Sequence, residues 1–527
     1  MRSVRGTASI GIAALGGVAI ALSTPPLGFL PGVFIGLAML AYALGEGRSL
    51  RWAFLIGVVW ASVAGVIGLR FVVEAVQRFT GADIVLGVVV LVLLALAQSL
   101  AFGVGAMLAC ALNRHAKVPF ALAFGAGVFV ASVAPGVFTW TPAALLAARP
   151  QLVQLAEYVG EPGVSFVVAV VAALLAATVQ QAIARPRAAR SIAPPAIAAV
   201  LALVGLELFG DARMDAIEGR AGQPMRIALV DPAAPAIRHR TGAQDLAEAT
   251  RLELLVRRAE TGGAQLVVLP EAAYPIPVAA DATALPGFYP AIDPPGASAP
   301  VLFGLTTFSH TGGAIQRYNA ATIESPDGSL ERAYDKLKLL WFGETVPFGR
   351  SLPFLKGIFA QTTNTTAGTV ARGLTMRMAD GSSLRIGVLI CYEDTSSGVG
   401  RRIAGAVHPQ LMVNVTNDAW FAGTSASELQ ARFAVMRAVE LRTPLVAAVN
   451  EGESEFIDAA GRVQAKSGRP GTLFVTPRVN SAEAGLTLYA RLGNWPMWGL
   501  LALVAIASFA RRGRLRRQRV DRRAQSG

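Results

Sequence analysis

Cysteine occurs twice in the 527 residues, as Cys110 and Cys391. Cys110 lies inside a long apolar run, whereas Cys391 closes the segment SLRIGVLICYED (383–394) and is followed at once by Tyr392 and Glu393. Two cysteines so placed give no disulfide framework. An unpaired thiol is kept either as a small buried apolar residue or for a chemical task. Cys110 takes the first reading, and Cys391 is drawn to the second because other segments share its design. QLVVLPEAAYP (265–275) is an apolar strand that stops at Pro270 and presents Glu271, and LMVNVTNDAWF (411–421) ends in Asn417, Asp418 and Trp420. Between the Glu271 and Cys391 segments stands YDKLKLLWFGETVPFG (334–349), in which Tyr334 and Lys336 precede an apolar stretch and Gly343 and Glu344 follow it. A thiol of ordinary acidity is only a few per cent thiolate at neutral pH, so it needs a base or a cation before it attacks an ester. Glu271 and Lys336 are groups of the right type. Each residue also has a plainer role available: Glu271 as a helix cap, Lys336 as surface charge, Glu344 as a partner of Arg350.

Other chemistries find less support. His115, His239, His310 and His408 have no ligand spacing, and neither CxxC nor HExxH occurs, so no metal site is expected. GTSAS (423–427) ends in Ser where a serine-hydrolase elbow needs Gly, and nothing local supports pairing Cys391 with His408.

Positioning these groups falls to an α/β layered domain. Helical patterns at 248–259 and 429–441 alternate with the apolar strands, and polar residues that follow buried strands collect at one sheet edge. Around this domain the composition is that of a membrane protein. Hydrophobic residues make up 53% of the chain and charged residues 15%, with a mean hydropathy of +0.50, against about 25% charged in soluble proteins. Seven apolar runs precede residue 210, at 9–23, 28–45, 52–69, 84–112, 118–138, 163–183 and 195–209, and an eighth spans 495–510. The domains expected are therefore 1–210 with seven spans, 211–490 as a catalytic domain outside the bilayer, and 491–527 with the eighth span and a basic tail. Residues 1–23 resemble a signal peptide, but further spans follow directly, so an uncleaved first span is expected.

The net charge of +13 does not point to nucleic acid. Much of it sits in RRGRLRRQRVDRR (511–523), directly after the last span and without a stacking aromatic. Such a run is a topology signal and a contact for anionic lipid. Arg2, Arg5, Arg48, Arg51, Arg114, Lys117, Arg185, Arg187 and Arg190 occupy one set of loops, and only Arg70, Arg78 and Arg149 the alternate set. Both termini are then cytoplasmic and the large domain lies on the far side.

The three chemical segments resemble the nitrilase (carbon-nitrogen hydrolase) superfamily. Pro270-Glu271, Tyr334-x-Lys336 with Phe342-Gly343-Glu344, and Cys391-Tyr392-Glu393-Asp394 match its signatures in order and spacing, and NVTNDAWF and Met436–Glu440 extend the likeness. With the spans around it, and with PQLVQLAEYVGEPGVSF (150–166), nearly the whole chain is similar to the apolipoprotein N-acyltransferase family. The resemblance implies an eight-span membrane α-helical bundle carrying a nitrilase-like α-β-β-α sandwich. It makes Cys391 the nucleophile, Glu271 the general base and Lys336 the electrostatic partner, with Glu344, Tyr392 and Glu393 in support. Trp341, Phe342, Asn417 and Trp420 are the expected substrate contacts, and the apolar residues Leu337 to Leu355 either receive acyl chains or pack a core. The implied reaction moves an acyl chain from a membrane phospholipid, through a Cys391 thioester, to the α-amino group of a lipoprotein's diacylglyceryl-cysteine. It needs no cofactor, and a monomer in the bacterial inner membrane with its catalytic domain in the periplasm is expected. A membrane-tethered amidase and a non-catalytic scaffold are the alternatives. Gln430, the Ala422-Gly423-Thr424 run, Leu340-Trp341 and Asp231 depart from the family pattern; none touches the Glu271, Lys336 and Cys391 positions, so they bear on substrate identity more than on mechanism.

Overall fold

The computed structural model describes residues 6–507, apart from 46–47, 185–188, 219–221, 236–240, 287–298, 312, 348, 350, 352, 354–363, 379–380, 469–470 and 481–484. Phe348, Arg350, Leu352, Phe354, Leu355, Arg2, Arg5, Arg185, Arg187 and the tail arginines therefore lie outside the described residues. The chain divides into two compact units: Met1–Val72, Val88–Asp211 and Leu492–Gly527 form one, and Val73–Gly87 with Ala212–Arg491 the other.

The helices up to residue 218 are α1 (Gly6–Ala21), α2 (Pro31–Leu44), α3 (Leu50–Gly68), α4 (Phe71–Thr80), α5 (Ile84–Ala116), α6 (Phe120–Ser132), α7 (Pro142–Leu146), α8 (Ala156–Ala184) and α9 (Ala189–Glu218). Among the described residues, four are long and apolar enough to cross a membrane: α3, α5, α8 and α9 from Ile192 onward. The runs read as spans one, two, five and eight also form apolar helices, but shorter ones: α1, α2, α6 and Trp495–Ala507. Small residues let these helices touch, as expected where lipid offers no hydrophobic drive to pack. Gly16 of α1 and Gly36 of α2 meet backbone to backbone, since a Cβ added at Gly36 would lie 2.6 Å from the Gly16 carbonyl oxygen. Trp60 of α3 is fully buried, and its indole N–H donates to Gly36 O at 2.9 Å. The sixth predicted span begins earlier than hydropathy indicates, because α8 continues through Glu157 and Glu161, both buried, across a break at Gly160.

In the second unit a seven-stranded sheet runs in the order β14 (Gly471–Val475), β2 (Ile227–Asp231), β3 (Leu266–Val268), β5 (Val301–Thr311), β6 (Ala314–Glu324), β7 (Tyr334–Asp335), with β4 (Tyr274–Ala279) also paired to β5. A six-stranded sheet runs β13 (Val463–Lys466), β12 (Glu455–Ile457), β11 (Leu445–Asn450), β10 (Leu411–Asn417), β9 (Ser383–Ile390), β8 (Gly373–Arg377). A short pair, β1 (Gln223–Pro224) with β15 (Arg478–Val479), stands apart from both. The two sheets meet where β2 packs on β11. Helix α10 (Gly242–Thr261) covers the first sheet, while α11 (Ser397–Val407) and α12 (Ala426–Leu441) cover the second. Strands buried on both faces read as continuous apolar runs, which is why IALVD and LVAAVN show no alternation. β2 and β3, and likewise β9, β10 and β11, are parallel, so their C-terminal ends share an edge within each sheet.

One buried acid has a consequence for stability. Glu455 of β12 is 2% exposed, and burial pushes its carboxyl up from 4.5 to about 8, against the partial pull of Lys466. The folded carboxyl thus keeps its proton to higher pH than the unfolded one. The folded state binds more protons, and stability falls as pH rises from about 4.5 to 8. Glu455→Gln should be more stable than the wild type at pH 9 by roughly 4 kcal/mol and equal to it at pH 4, read from apparent Tm against pH. A pH-independent difference would contradict this.

Candidate active site

Glu271 is placed by a turn that rests on β5. After β3 the chain passes Pro270, and Ala272 takes a positive φ of 54°. Gly304 of β5 makes room for this turn, because a Cβ there would lie 2.6 Å from both Glu271 Cα and Ala272 N. The Glu271 carboxylate is largely buried. Its Oε1 accepts from Lys336 Nζ at 3.2 Å and from Asn319 Nδ2 at 2.7 Å, and its Oε2 accepts from the Asn417 backbone N–H at 3.1 Å.

Lys336 follows β7 and is 2% exposed. Its ammonium lies between Glu271 and the Glu344 carboxylate, 3.0 Å from the latter. Burial pulls its proton affinity down, but Glu271 and then Glu344 more than reverse that, so Lys336 stays charged. Glu344 is itself fixed by the Leu340 N–H, which donates to Oε2 at 2.8 Å, and by Asn319 Nδ2 at 2.7 Å.

Cys391 opens a 3-10 turn at the end of β9 with φ at +51°, a left-handed conformation that costs a non-glycine residue about 1–2 kcal/mol. The residue is half-buried. Desolvation of the sulfur pushes the thiol well above its ordinary value, Glu271 pushes it further, and Lys336 opposes both. Burial thus favours the protonated thiol, and a nucleophilic role would require an acceptor for its proton. Glu271 is the carboxylate that acts on it most strongly.

Glu393 ties these pieces together. Fully buried, its carboxylate accepts four hydrogen bonds: from the N–H groups of Leu337 and Lys338 at 2.7 and 2.9 Å, from the Tyr334 hydroxyl at 2.8 Å, and from the Ile390 N–H at 3.0 Å. The Lys336 segment is thereby pinned to the turn that carries Cys391. Tyr392 is buried, and the Lys338 ammonium lies 4.7 Å from its ring centroid.

Of the expected substrate contacts, Trp341 is 40% exposed and Phe342 half-buried. Asn417 has a different use: its side-chain oxygen accepts from Asn450 Nδ2 at 2.9 Å and Ala419 N at 3.2 Å, while its backbone N–H holds Glu271. Asp418, next along, is raised to about 6 by burial, with Ser427 opposing and Glu271 adding. Trp420 meets Phe79 edge to face at 5.5 Å, and Arg78 donates to Ala422 O at 2.6 Å. Asn319, Asn450, Arg78 and Phe79 were not legible as site residues. Nothing in RYNAATIE marks the asparagine, and Arg78 lies more than three hundred residues from the turn it contacts.

Two stacked sheets with covering helices, and a buried Glu-Lys-Glu cluster beside a strained thiol, define a carbon-nitrogen hydrolase domain. The carbon-nitrogen hydrolase family model matches residues 227–487, and the model for the apolipoprotein N-acyltransferase N-terminal domain matches residues 16–174. The apolipoprotein N-acyltransferase of Geobacter metallireducens is 29% identical over 523 residues, 94% of each chain. Those of Bradyrhizobium diazoefficiens and Ralstonia nicotianae are 37% identical over 200 residues (37% of this chain, 35% of the relative) and 34% identical over 259 (48% and 46%). Over nearly its whole length the chain is thus similar to apolipoprotein N-acyltransferases.

Proposed function

We propose that this chain transfers an acyl chain from a membrane phospholipid to the α-amino group of a lipoprotein's N-terminal diacylglyceryl-cysteine, through a thioester on Cys391. Glu271 Oε2 takes the thiol proton as sulfur attacks the ester carbonyl. The tetrahedral intermediate collapses, the ester C–O bond breaks, and the proton passes to the departing lysophospholipid oxygen. In the second half the amine attacks the thioester, Glu271 accepts its proton, and the C–S bond breaks as the proton returns to sulfur. An ammonium has three N–H donors, of which the two glutamates engage two. The third is free to meet the oxyanion together with the Tyr392 N–H, and one such donor is worth roughly 3 kcal/mol in the transition state.

The observation that carries this reading is the ion-pair cluster of Lys336 with Glu271 and Glu344, set beside a thiol held in its protonated form. Glu393 acts as the carboxylate that fixes the distance between nucleophile and lysine. Trp341, Phe342 and Trp420 are assigned to acyl-chain contact. The four long apolar helices and the four shorter ones are read as eight spans, the latter reaching the bilayer surface through flanking residues. Residues 1–210 then hold seven spans, 211–490 the catalytic domain, and 491–527 the last span and tail. The basic residues Arg48, Arg51, Arg114 and Lys117 support a reading with their loops in the cytoplasm and the catalytic domain in the periplasm. Both substrates are lipid-anchored, so a catalytic domain tethered to the inner membrane converts encounter into a search in two dimensions.

The test is to supply purified protein with radiolabelled phospholipid and a diacylated lipopeptide. Label appearing in the lipopeptide as an amide supports transfer. Label released as free fatty acid at the same rate with or without the lipopeptide assigns the chain to hydrolysis instead.

A further inference from the structure

The cluster around Lys336 contains one more donor than the catalytic reading uses. Glu271 Oε1 and Glu344 Oε1 each accept from the same two groups: Lys336 Nζ, at 3.2 and 3.0 Å, and Asn319 Nδ2, at 2.7 Å to each. The four groups form a closed ring in which acceptors and donors alternate. We propose that Asn319 is a positioning residue that bridges the two glutamates beside their single lysine and turns Glu271 Oε2 toward the thiol.

Two largely buried carboxylates share one ammonium, so one negative charge has no cation of its own. Carboxylates placed this close in a poorly solvated site tend to take up a shared proton, which would remove the base. A primary amide offers two diverging N–H bonds and no charge, and here one N–H reaches each glutamate. Because both partners are carboxylate oxygens, only the amide nitrogen can face them; its oxygen would repel both. With Oε1 of Glu271 occupied by two donors, Oε2 is the oxygen left for proton transfer, steadied by the Asn417 N–H. Asn319 is well anchored for this task. It pairs with Thr306 across β5 and β6, and its carbonyl accepts from the Lys336 N–H at 2.8 Å, so one residue aligns both backbone and head group of the lysine. The other ionisable groups acting on this cluster are Cys391, Asp418 and Glu393.

This inference rests on Glu271 being the base. Its test uses the full-length protein and measures the rate of Cys391 acylation by labelled phospholipid between pH 5 and 9. Asn319→Ala should acylate about 10- to 100-fold more slowly at pH 7. The acid limb of its pH profile should move up by about one unit, so that the rate recovers at high pH. Asn319→Asp, which adds a third carboxylate, should shift the limb further. Asn319→Ser, which keeps one donor and is small enough to fold if the alanine variant does not, should fall between wild type and alanine. An unshifted limb, whether the rate is unchanged or uniformly lower at every pH, overturns the proposal and leaves the base assignment standing. A wild-type protein that phospholipid does not acylate at all overturns both.

Discussion

Replacing Cys391 with alanine is expected to lower acyl transfer by at least about 10⁴-fold while changing stability by less than about 1 kcal/mol. The two effects separate because the sulfur makes the covalent bond but contributes little packing in a half-buried position. Serine should do no better than alanine: Glu271 is matched to a thiol, and a hydroxyl several units less acidic gives up its proton far less readily. Glycine offers a further contrast. The left-handed φ of 51° strains any residue with a Cβ, so Cys391→Gly should be inactive yet gain about 1 kcal/mol of stability despite its flexibility in the unfolded chain. Acylation of a lipopeptide in vitro and apparent Tm measure these outcomes together. Retention of lipoprotein modification in cells carrying only Cys391→Ala would make the chain a scaffold instead of an enzyme.

Lys336→Met should be the most damaging single change to the site, and for two reasons at once. It removes the charge that the proposed mechanism sets against the oxyanion, and it leaves Glu271 and Glu344 facing each other with only Asn319 between them. Breaking a buried pair by deleting one partner costs about 3–5 kcal/mol, most of it from the charges left behind. The lysine is held above its ordinary value by the two glutamates, so its contribution is fully present at neutral pH and is lost only in strongly alkaline solution. In the variant the penalty belongs to the carboxylates, and acid should relieve it. Apparent Tm of Lys336→Met should therefore approach that of the wild type as pH falls through the carboxylate range. Adding Glu271→Gln should recover much of the lost stability at pH 7 and none of the activity. A double variant no more stable than Lys336→Met would contradict the charge argument.

The parts of this site that lie at strand ends were readable from the sequence. SLRIGVLI and LMVNVTN are apolar runs that stop abruptly at polar residues, and a parallel sheet has no other place to put such residues than its C-terminal edge. The helices that cover the sheets were equally clear, with α10 and α12 running a few residues beyond the patterned segments. What escaped was carried by long-range geometry. β5 and β6 are the longest strands described here, yet AIQRYNAATIE mixes apolar and polar residues along its length and is buried only from Ala320 onward, so the asparagine of this cluster has no periodic signal around it. The turn at Glu271 depends on Gly304 thirty-three residues away, which only the fold brings beneath it. The loop carrying Arg78 and Phe79 looked like a short link between two spans. Its residues cluster instead with the catalytic unit, through contacts to Trp420 and Ala422.

The proposed reaction has the Cys391 thiol carry the acyl group between two lipids, and that covalent step can be observed alone. Purified protein is incubated with a dipalmitoyl phospholipid and no amine acceptor, digested, and the peptide containing Cys391 is weighed. The expected result is one palmitoyl group on Cys391, removed by neutral hydroxylamine and lost on adding the lipopeptide. Acyl transfer that proceeds with Cys391 unmodified throughout, or with the acyl group on another residue, would contradict it.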